Sequence, residues 1–143
     1  GETLELEAQR DKPVLALKAE IDLRLQVPVL FQSLLCDNVA LLDSSPIASY
    51  CQGEDACLSL TLLVSPSNAV QQLGSGEESR RICALQALAT SGRRGDDYIV
   101  EAVIGQLTDL DLWVRLVAIK TLLKVADQGD VRAIDGVSRL LTD

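Results

Sequence analysis

The chain of 143 residues has no histidine, no methionine and only one tryptophan, one phenylalanine and two tyrosines. Without an imidazole there is no Ser-His-Asp or Cys-His nucleophile system, no HExxH zinc site and no histidine acid–base catalysis. With aromatics at 3%, any core must be built from Leu, Val, Ile and Ala. Basic residues are also scarce, 13 Lys and Arg against 21 Asp and Glu, for a net charge of -8. Such a surface repels phosphates, so nucleic acid is not an expected partner. The deficit sits mainly in residues 1–66, which carry four basic and ten acidic side chains, whereas residues 67–143 carry nine and eleven. No apolar run reaches the roughly 20 residues of a membrane-spanning helix.

Cysteine is present but not in a metal-binding arrangement. Cys36, Cys51, Cys57 and Cys83 contain no CxxC pair. Zinc on four scattered thiolates, a disulfide, and separate buried or surface thiols all stay open, the last being preferred. Gly74-Ser75-Gly76 and Gly92 to Gly95 lack the spacing and the lysine of a phosphate loop. The carboxylates are scattered with no paired acid and base. No enzyme activity, metal or cofactor is expected.

Apolar residues make up 48%, enough for one ordinary core or two small ones. In residues 1–65, Leu4, Leu6 and Ala8 alternate with Glu5 and Glu7, the period of a half-exposed strand over Thr3 to Ala8. Pro13 suits the first turn of a helix, and Val14, Leu17, Ile21 and Leu25 share one face up to Pro28, with Lys18 beside them. Short strands at Gln32–Cys36 and Val39–Leu42 are separated by the turn Asp37-Asn38. A short helical turn ends at Tyr50, and Ala56–Val64 is the last strand.

This run resembles the ubiquitin family without a gap from Gly1 to about Val64. The match rests on TLELEA, Leu17 to Ile21, Val27-Pro28, Gln32 to Leu35, Leu41, Asp43, Ile47, Tyr50 and Leu58-Ser59-Leu60. The resemblance implies a β-grasp fold, in which Lys18 pairs with Asp43 and the Tyr50 hydroxyl ties down the loop backbone. It also implies an integral domain and not a transferable tag, because Val64 continues into Ser65-Pro66-Ser67 where the family ends in two glycines. The chain-linking lysine positions hold Val39 and Glu54. Of the three positions of the family's receptor-binding patch, Leu35 is apolar and Ser59 and Thr61 are not. Gly1 aligns with the turn after the family's first strand, which lies between the strands at 3–8 and 56–64. The expectation is that upstream residues or a segment of another chain fill that place.

Residues 66–143 read as helices. Leu110–Ala126 is the longest, with an apolar stripe expected through Trp113, Leu116, Val117, Ile119, Lys120, Leu122 and Leu123, and Trp113 packed between helices. The shift along the chain that places Arg81 on Arg115 also places Ala84 on Ala118, Leu88 on Leu122, Gly95-Asp96 on Gly129-Asp130 and Leu107-Thr108-Asp109 on Leu141-Thr142-Asp143. The remaining helices are expected at Ala69–Leu73, Glu77–Ala89, Tyr98–Leu107 and Val131–Leu141, with Asp96 or Asp97 and Asp109 or Asp111 as caps. Helix pairs with Arg-x-x-Ala-x-x-x-Leu in the second helix and Gly-Asp in the loop resemble HEAT-like repeats over residues 67–143. The resemblance implies a curved solenoid without chemistry of its own, in which Arg81 and Arg115 bond to acidic loop residues. Arg80-Arg81 and Arg93-Arg94 are read as surface and capping pairs and not as a ligand patch.

The fold class expected is therefore α+β, a ubiquitin-like domain over 1–65 followed by an all-α solenoid segment over 66–143. The function expected is a non-enzymatic adaptor or scaffold for protein partners within a larger assembly or a longer chain. Partner contacts are expected at Leu35, Ser59 and Thr61, and either on the concave face lined by the second helices of the repeats or at the uncapped end formed by Ile134, Val137, Leu140 and Leu141, with Tyr98–Leu107 and Val131–Leu141 on the convex face. The alternatives are a structural subunit of a large complex, a membrane-protein complex included, in which both domains only pack, and an enzyme whose catalytic part lies elsewhere. An intracellular location is expected, organelles included.

Overall fold

A computed structural model describes residues 3–51, 53 and 57–142, with side chains described through residue 140. The chain forms a mixed α+β structure that divides into two compact units, Gly1–Ser65 and Pro66–Asp143.

In the first unit, helix α1 (Val14–Leu25) packs on a three-stranded antiparallel sheet of β1 (Gln32–Cys36), β2 (Val39–Ala40) and β3 (Thr61–Val64), in the order β2-β1-β3. The first turn of α1 lacks a side-chain cap. Its orphan N–H groups are satisfied instead by loop carbonyls, Val14 donating to Ser45 and Leu15 to Asp43. Asp37 and Asn38 both have positive φ, 50° and 66°, as a two-residue hairpin turn between twisted strands requires. The core is Val14, Ile21, Leu34, Leu41 and Ile47, with Leu6, Leu58, Leu60 and Leu62 packed partly against it. Leu25, expected on the buried face of α1, is exposed instead, because the helix ends there and Gln26 turns into the left-handed region.

Three strand readings are corrected. Residues 3–8 join no ladder, although Leu6 still reaches the core. Their alternation is real, but a strand also needs a facing backbone, and none is present among the described residues. Pairing of the last strand begins only at Thr61, and its neighbour is β1. Residues 3–8 and 57–64 do not pair with each other; Ala56 and Glu54 lie outside the described residues. The second strand stops at Ala40, two residues earlier than expected.

The second unit is α2 (Ser67–Gln72), α3 (Glu78–Ser91), α4 (Asp97–Gly105), α5 (Leu112–Val125) and α6 (Val131–Thr142). The period of the sequence is also a period of the backbone. The shift from Arg81 to Arg115 maps both ends of α3 onto the ends of α5, and the start of α4 onto the start of α6. The hydrogen bonds repeat with the same offset. Ser75 Oγ accepts from Glu77 N–H at 3.2 Å and Asp109 Oδ1 from Asp111 N–H at 2.8 Å. Asp96 caps α4 through Tyr98 and Ile99, and Asp130 does the same for α6 through Arg132 and Ala133. Gly95 and Gly129 both sit at φ 81°, in the left-handed region that favours glycine. At Gly95 a Cβ would also lie 2.5 Å from Asp127 Oδ2. α5 packs against α3 and α4, and α6 against α4. The last contact is close, since a Cβ at Gly136 would meet Ile104 Cγ2 of α4 at 3.5 Å and Leu107 Cδ1, in the turn just after α4, at 3.0 Å.

The face that α5 buries differs from the stripe expected for it. Val114, Ala118, Thr121, Leu122 and Val125 are buried, and Trp113 is 66% exposed. The helix is apolar on almost every side, so periodicity could not select a face. Thr121, the polar member of the buried seam, donates its hydroxyl to the Leu85 carbonyl at 3.2 Å.

Candidate functional site

In the first unit, the sheet carries two of the three aligned patch positions. Leu35 and Thr61 are direct cross-strand partners, and Ala40 faces Leu35 from the other side. Ser59 is exposed two residues before Thr61, outside the ladder. Leu63, opposite Ser33, adds an exposed apolar side chain that sequence alignment to the patch did not find. Its signal was available in the period-2 pattern, which puts Leu63 on the same face as Thr61.

Behind that sheet lie the structural residues. Lys18 Nζ is 2.6 Å from Asp43 Oδ1, the lysine side chain 7% exposed and the aspartate 51%. The Tyr50 hydroxyl accepts from Leu42 N–H at 3.1 Å, which fixes the loop after β2. Gln32 was not singled out in the sequence. It is fully buried and its Nε2 donates to the carbonyls of Lys18 and Val27, at 2.8 and 2.9 Å, tying the end of α1 to β1. Cys36 and Cys51 are half-buried free thiols, and Cys57 and Cys83 are exposed free thiols.

In the second unit, the two repeat arginines occupy one role at two levels. Arg81 Nη1 donates to the Ser75 carbonyl at 2.8 Å, and Arg115 Nη1 to the Asp109 carbonyl at 2.7 Å, donors and acceptors alike being one repeat apart. Arg81 goes further, since its Nη2 donates to Asp109 Oδ1 at 3.3 Å and its Nε sits 2.9 Å from Oδ2. The Nε contact is electrostatic, because its N–H is out of line for a hydrogen bond. Both side chains are largely buried, at 16% and 10% exposure. Arg81 thus joins the first helix pair to the loop that opens the second. Among the described residues, Arg115 bonds to its own loop, the Asp109 and Leu110 carbonyls.

Two carboxylates meet beside this junction. A side-chain hydrogen bond between Glu78 and Asp111 pushes Glu78 up and Asp111 down from their ordinary values, and the Val114 N–H bond lowers Asp111 further. The pair is best described as one coupled titration. At the α4–α6 contact, Arg132 reaches Asp130, Asp97 and Glu101 at 3.0, 2.9 and 3.2 Å. The hydrogen bond from Arg132 holds the Asp130 carboxyl below its usual range. This network was missed in the sequence. Its one visible sign was Asp97 and Glu101, four apart on one face of a helix. Of the other arginines, Arg80 pairs with Glu77 at 3.0 Å, and Arg93 and Arg94 are exposed.

Apolar surface in this unit is concentrated on α5 and α6. Leu112, Trp113, Leu116 and Leu123 are exposed along one side of α5, with Lys120 among them. Between α5 and α6 lies a groove of about 480 Å³ whose walls include Ile119, Leu122, Leu123 and Ala126 on one side and Ala133, Ile134 and Val137 on the other. Ile134 and Val137 were expected at an uncapped end, and both line it. Leu140 is half-buried, and of Leu141 only the helical backbone lies within the described residues. No described helix is long and apolar enough to cross a membrane. No known family model and no curated protein sequence matches the chain.

Proposed function

We propose that this chain is a non-enzymatic protein-binding adaptor or scaffold, in which an integral ubiquitin-like β-grasp unit is joined to HEAT-like helical repeats. The observation that carries the reading is the exposed stripe of Trp113, Leu116 and Leu123 on α5, a helix whose opposite side is fully packed. Contiguous exposed apolar surface with a tryptophan in it is costly in water and typical of contact sites. The helix-on-sheet packing of residues 14–64, with the Lys18–Asp43 and Tyr50–Leu42 contacts, supports the β-grasp part of the reading. The shared period of backbone and caps supports the repeat part.

Lys120 stands within the stripe and gives the test. Amine crosslinking of the protein in its native assembly should yield links from Lys120 to another protein, lost in Trp113→Glu. Links confined to this chain itself would refute the reading. A second reading, an accessory subunit in which both units only pack against neighbours, is favoured by Leu15 and Leu23, exposed on the outer side of α1. It adds the expectation of links from Lys12 to a partner in the same experiment.

A further inference from the structure

Helices α3 and α5 turn the same face to solvent, with different chemistry on it. α3 is packed against a helix on either side, α2 and α5. It nonetheless leaves Glu78, Ser79, Gln86 and Thr90 exposed. The shift that places Arg81 on Arg115 places these four on Leu112, Trp113, Lys120 and Lys124, which are exposed as well. The openness of this face is therefore a property of the repeat, present on a helix with both neighbours in place, and does not depend on what covers the groove between α5 and α6. Glu, Ser, Gln and Thr make an ordinary solvated face. Leucine, tryptophan and two lysines at the same positions do not. Leu116, 40% exposed, lies four residues after Leu112 and four before Lys120 and extends the apolar part.

The charge on this face is the reverse of the rest of the chain. Acidic residues outnumber basic ones 21 to 13 overall, yet α5 holds no Asp or Glu. Lys120 and Lys124 stand one turn apart, and neither meets a carboxylate among the described residues. At the other end of the face, beside Leu112, Glu78 and Asp111 share their hydrogen bond. The face is thus acidic where α5 begins, apolar at Trp113 and Leu116, and basic over its last two turns. From Trp113 to Lys124 it runs about 16 Å, some three turns.

We infer that this face of α5 binds a short acidic amphipathic segment of a partner protein, with leucine or aromatic side chains of the segment against Trp113 and Leu116 and its carboxylates at Lys120 and Lys124. Charge of opposite sign at the two ends gives the segment one direction along α5. An anionic lipid surface fits less well, because a plane of like charges would meet Glu78 and Asp111 together with the lysines, and would repel a chain of net charge -8. Burial of Trp113 supplies affinity, and the lysines set register and speed of association. The inference rests on the protein-binding reading above and names the chemistry of the partner at its surface.

The probe comes from random peptides of about 12 residues displayed on phage, selected on the full protein and counter-selected on Trp113→Glu. The peptides retained should carry Asp or Glu together with Leu, Phe or Trp. Binding of a labelled synthetic copy, followed by fluorescence anisotropy, should weaken about tenfold or more in the double variant Lys120→Glu, Lys124→Glu, and should weaken with added salt. Exchange of the peptide's carboxylates for lysines should restore binding to the double variant. All three substituted side chains are exposed, so the variants keep their fold, and circular dichroism checks that they do. Absence of selected peptides, peptides without an excess of acid, or binding indifferent to the lysine substitutions overturns the inference. So does binding to phosphatidylserine vesicles, or self-association of the protein, that Trp113→Glu abolishes while no peptide binds, since a lipid surface or a second copy of the chain would then be the occupant. Failure here with Lys120 crosslinks to another protein intact would leave the proposed function standing.

Discussion

The two helix pairs of the second unit have the same backbone and different company. α3 and α5 begin and end at equivalent repeat positions, their loops carry glycine at the same φ, and their arginines bond carbonyls one repeat apart. Yet α3 and α4 are covered by α5, to which Arg81 ties them, while among the described residues α5 and α6 have a groove between them and Arg115 reaches the carbonyls of its own loop. Equal sequence positions therefore do unequal work. What a residue contributes depends on what packs against it, as expected where stability comes from neighbour interfaces.

That difference can be broken most severely at the arginines. Arg81→Ala leaves the largely buried Asp109 carboxylate without its partner and should cost roughly 3–5 kcal/mol. Arg115→Ala, at the same repeat position, removes only bonds to two carbonyls and should cost about 1 kcal/mol. Urea unfolding of both variants measures the gap, and equal losses would mean that the copies are not in different company. The apolar positions sharpen the comparison on a smaller scale. Val100→Ala truncates a fully buried side chain and should cost about 2 kcal/mol. Ile134→Ala, its exposed counterpart, should stay within about 0.5 kcal/mol.

Trp113 gives a smaller effect that checks which side of α5 is covered. Its emission should be that of a solvated indole, quenched by added iodide or acrylamide, and Trp113→Ala should change stability by no more than about 0.5 kcal/mol. A blue-shifted, unquenchable emission from the free protein would place the residue in a packed interface. The smallest effect concerns Asp130. Its folded pKa is depressed, so its stabilising contribution is present at pH above the unfolded carboxylate value and is lost as pH falls through the folded value. Arg132→Ala should raise the Asp130 pKa, measured by carboxyl carbon chemical shift, and reduce the acid sensitivity of unfolding. The exposed pairs of Arg132 with Asp97 and Glu101 should fade with added salt.

Much of the second unit was legible because a repeat states its boundaries twice. Glu77 and Asp111, and Asp96 and Asp130, precede helices at matching positions, so two weak signals reinforce each other. The buried side of α5 was not legible. A helix with apolar residues all round carries no contrast between its faces, and only packing against α3 and α4 selects Val114 and Ala118 over Trp113 and Leu116. In the first unit, the pairing of Lys18 with Asp43 came from resemblance alone, since no spacing rule connects positions so far apart in sequence. The strand at 3–8 shows the reverse failure: alternation marks a face but cannot provide the hydrogen-bonding neighbour. Gln32 and Arg132 escaped notice because each is polar in a place where polarity looks ordinary until the tertiary contacts are known.

The account turns on one claim, that equivalent positions of α3–α4 and α5–α6 differ in what bonds and packs against them among the described residues. Amide hydrogen exchange at Gly95 and Gly129 tests it most directly, with both glycines at the same φ and only Gly95 bonded to a backbone carbonyl among the described residues. In the free protein, Gly95 should be protected and Gly129 should exchange nearly as fast as an open chain. Equal protection of the two glycines in the free protein would contradict the claim.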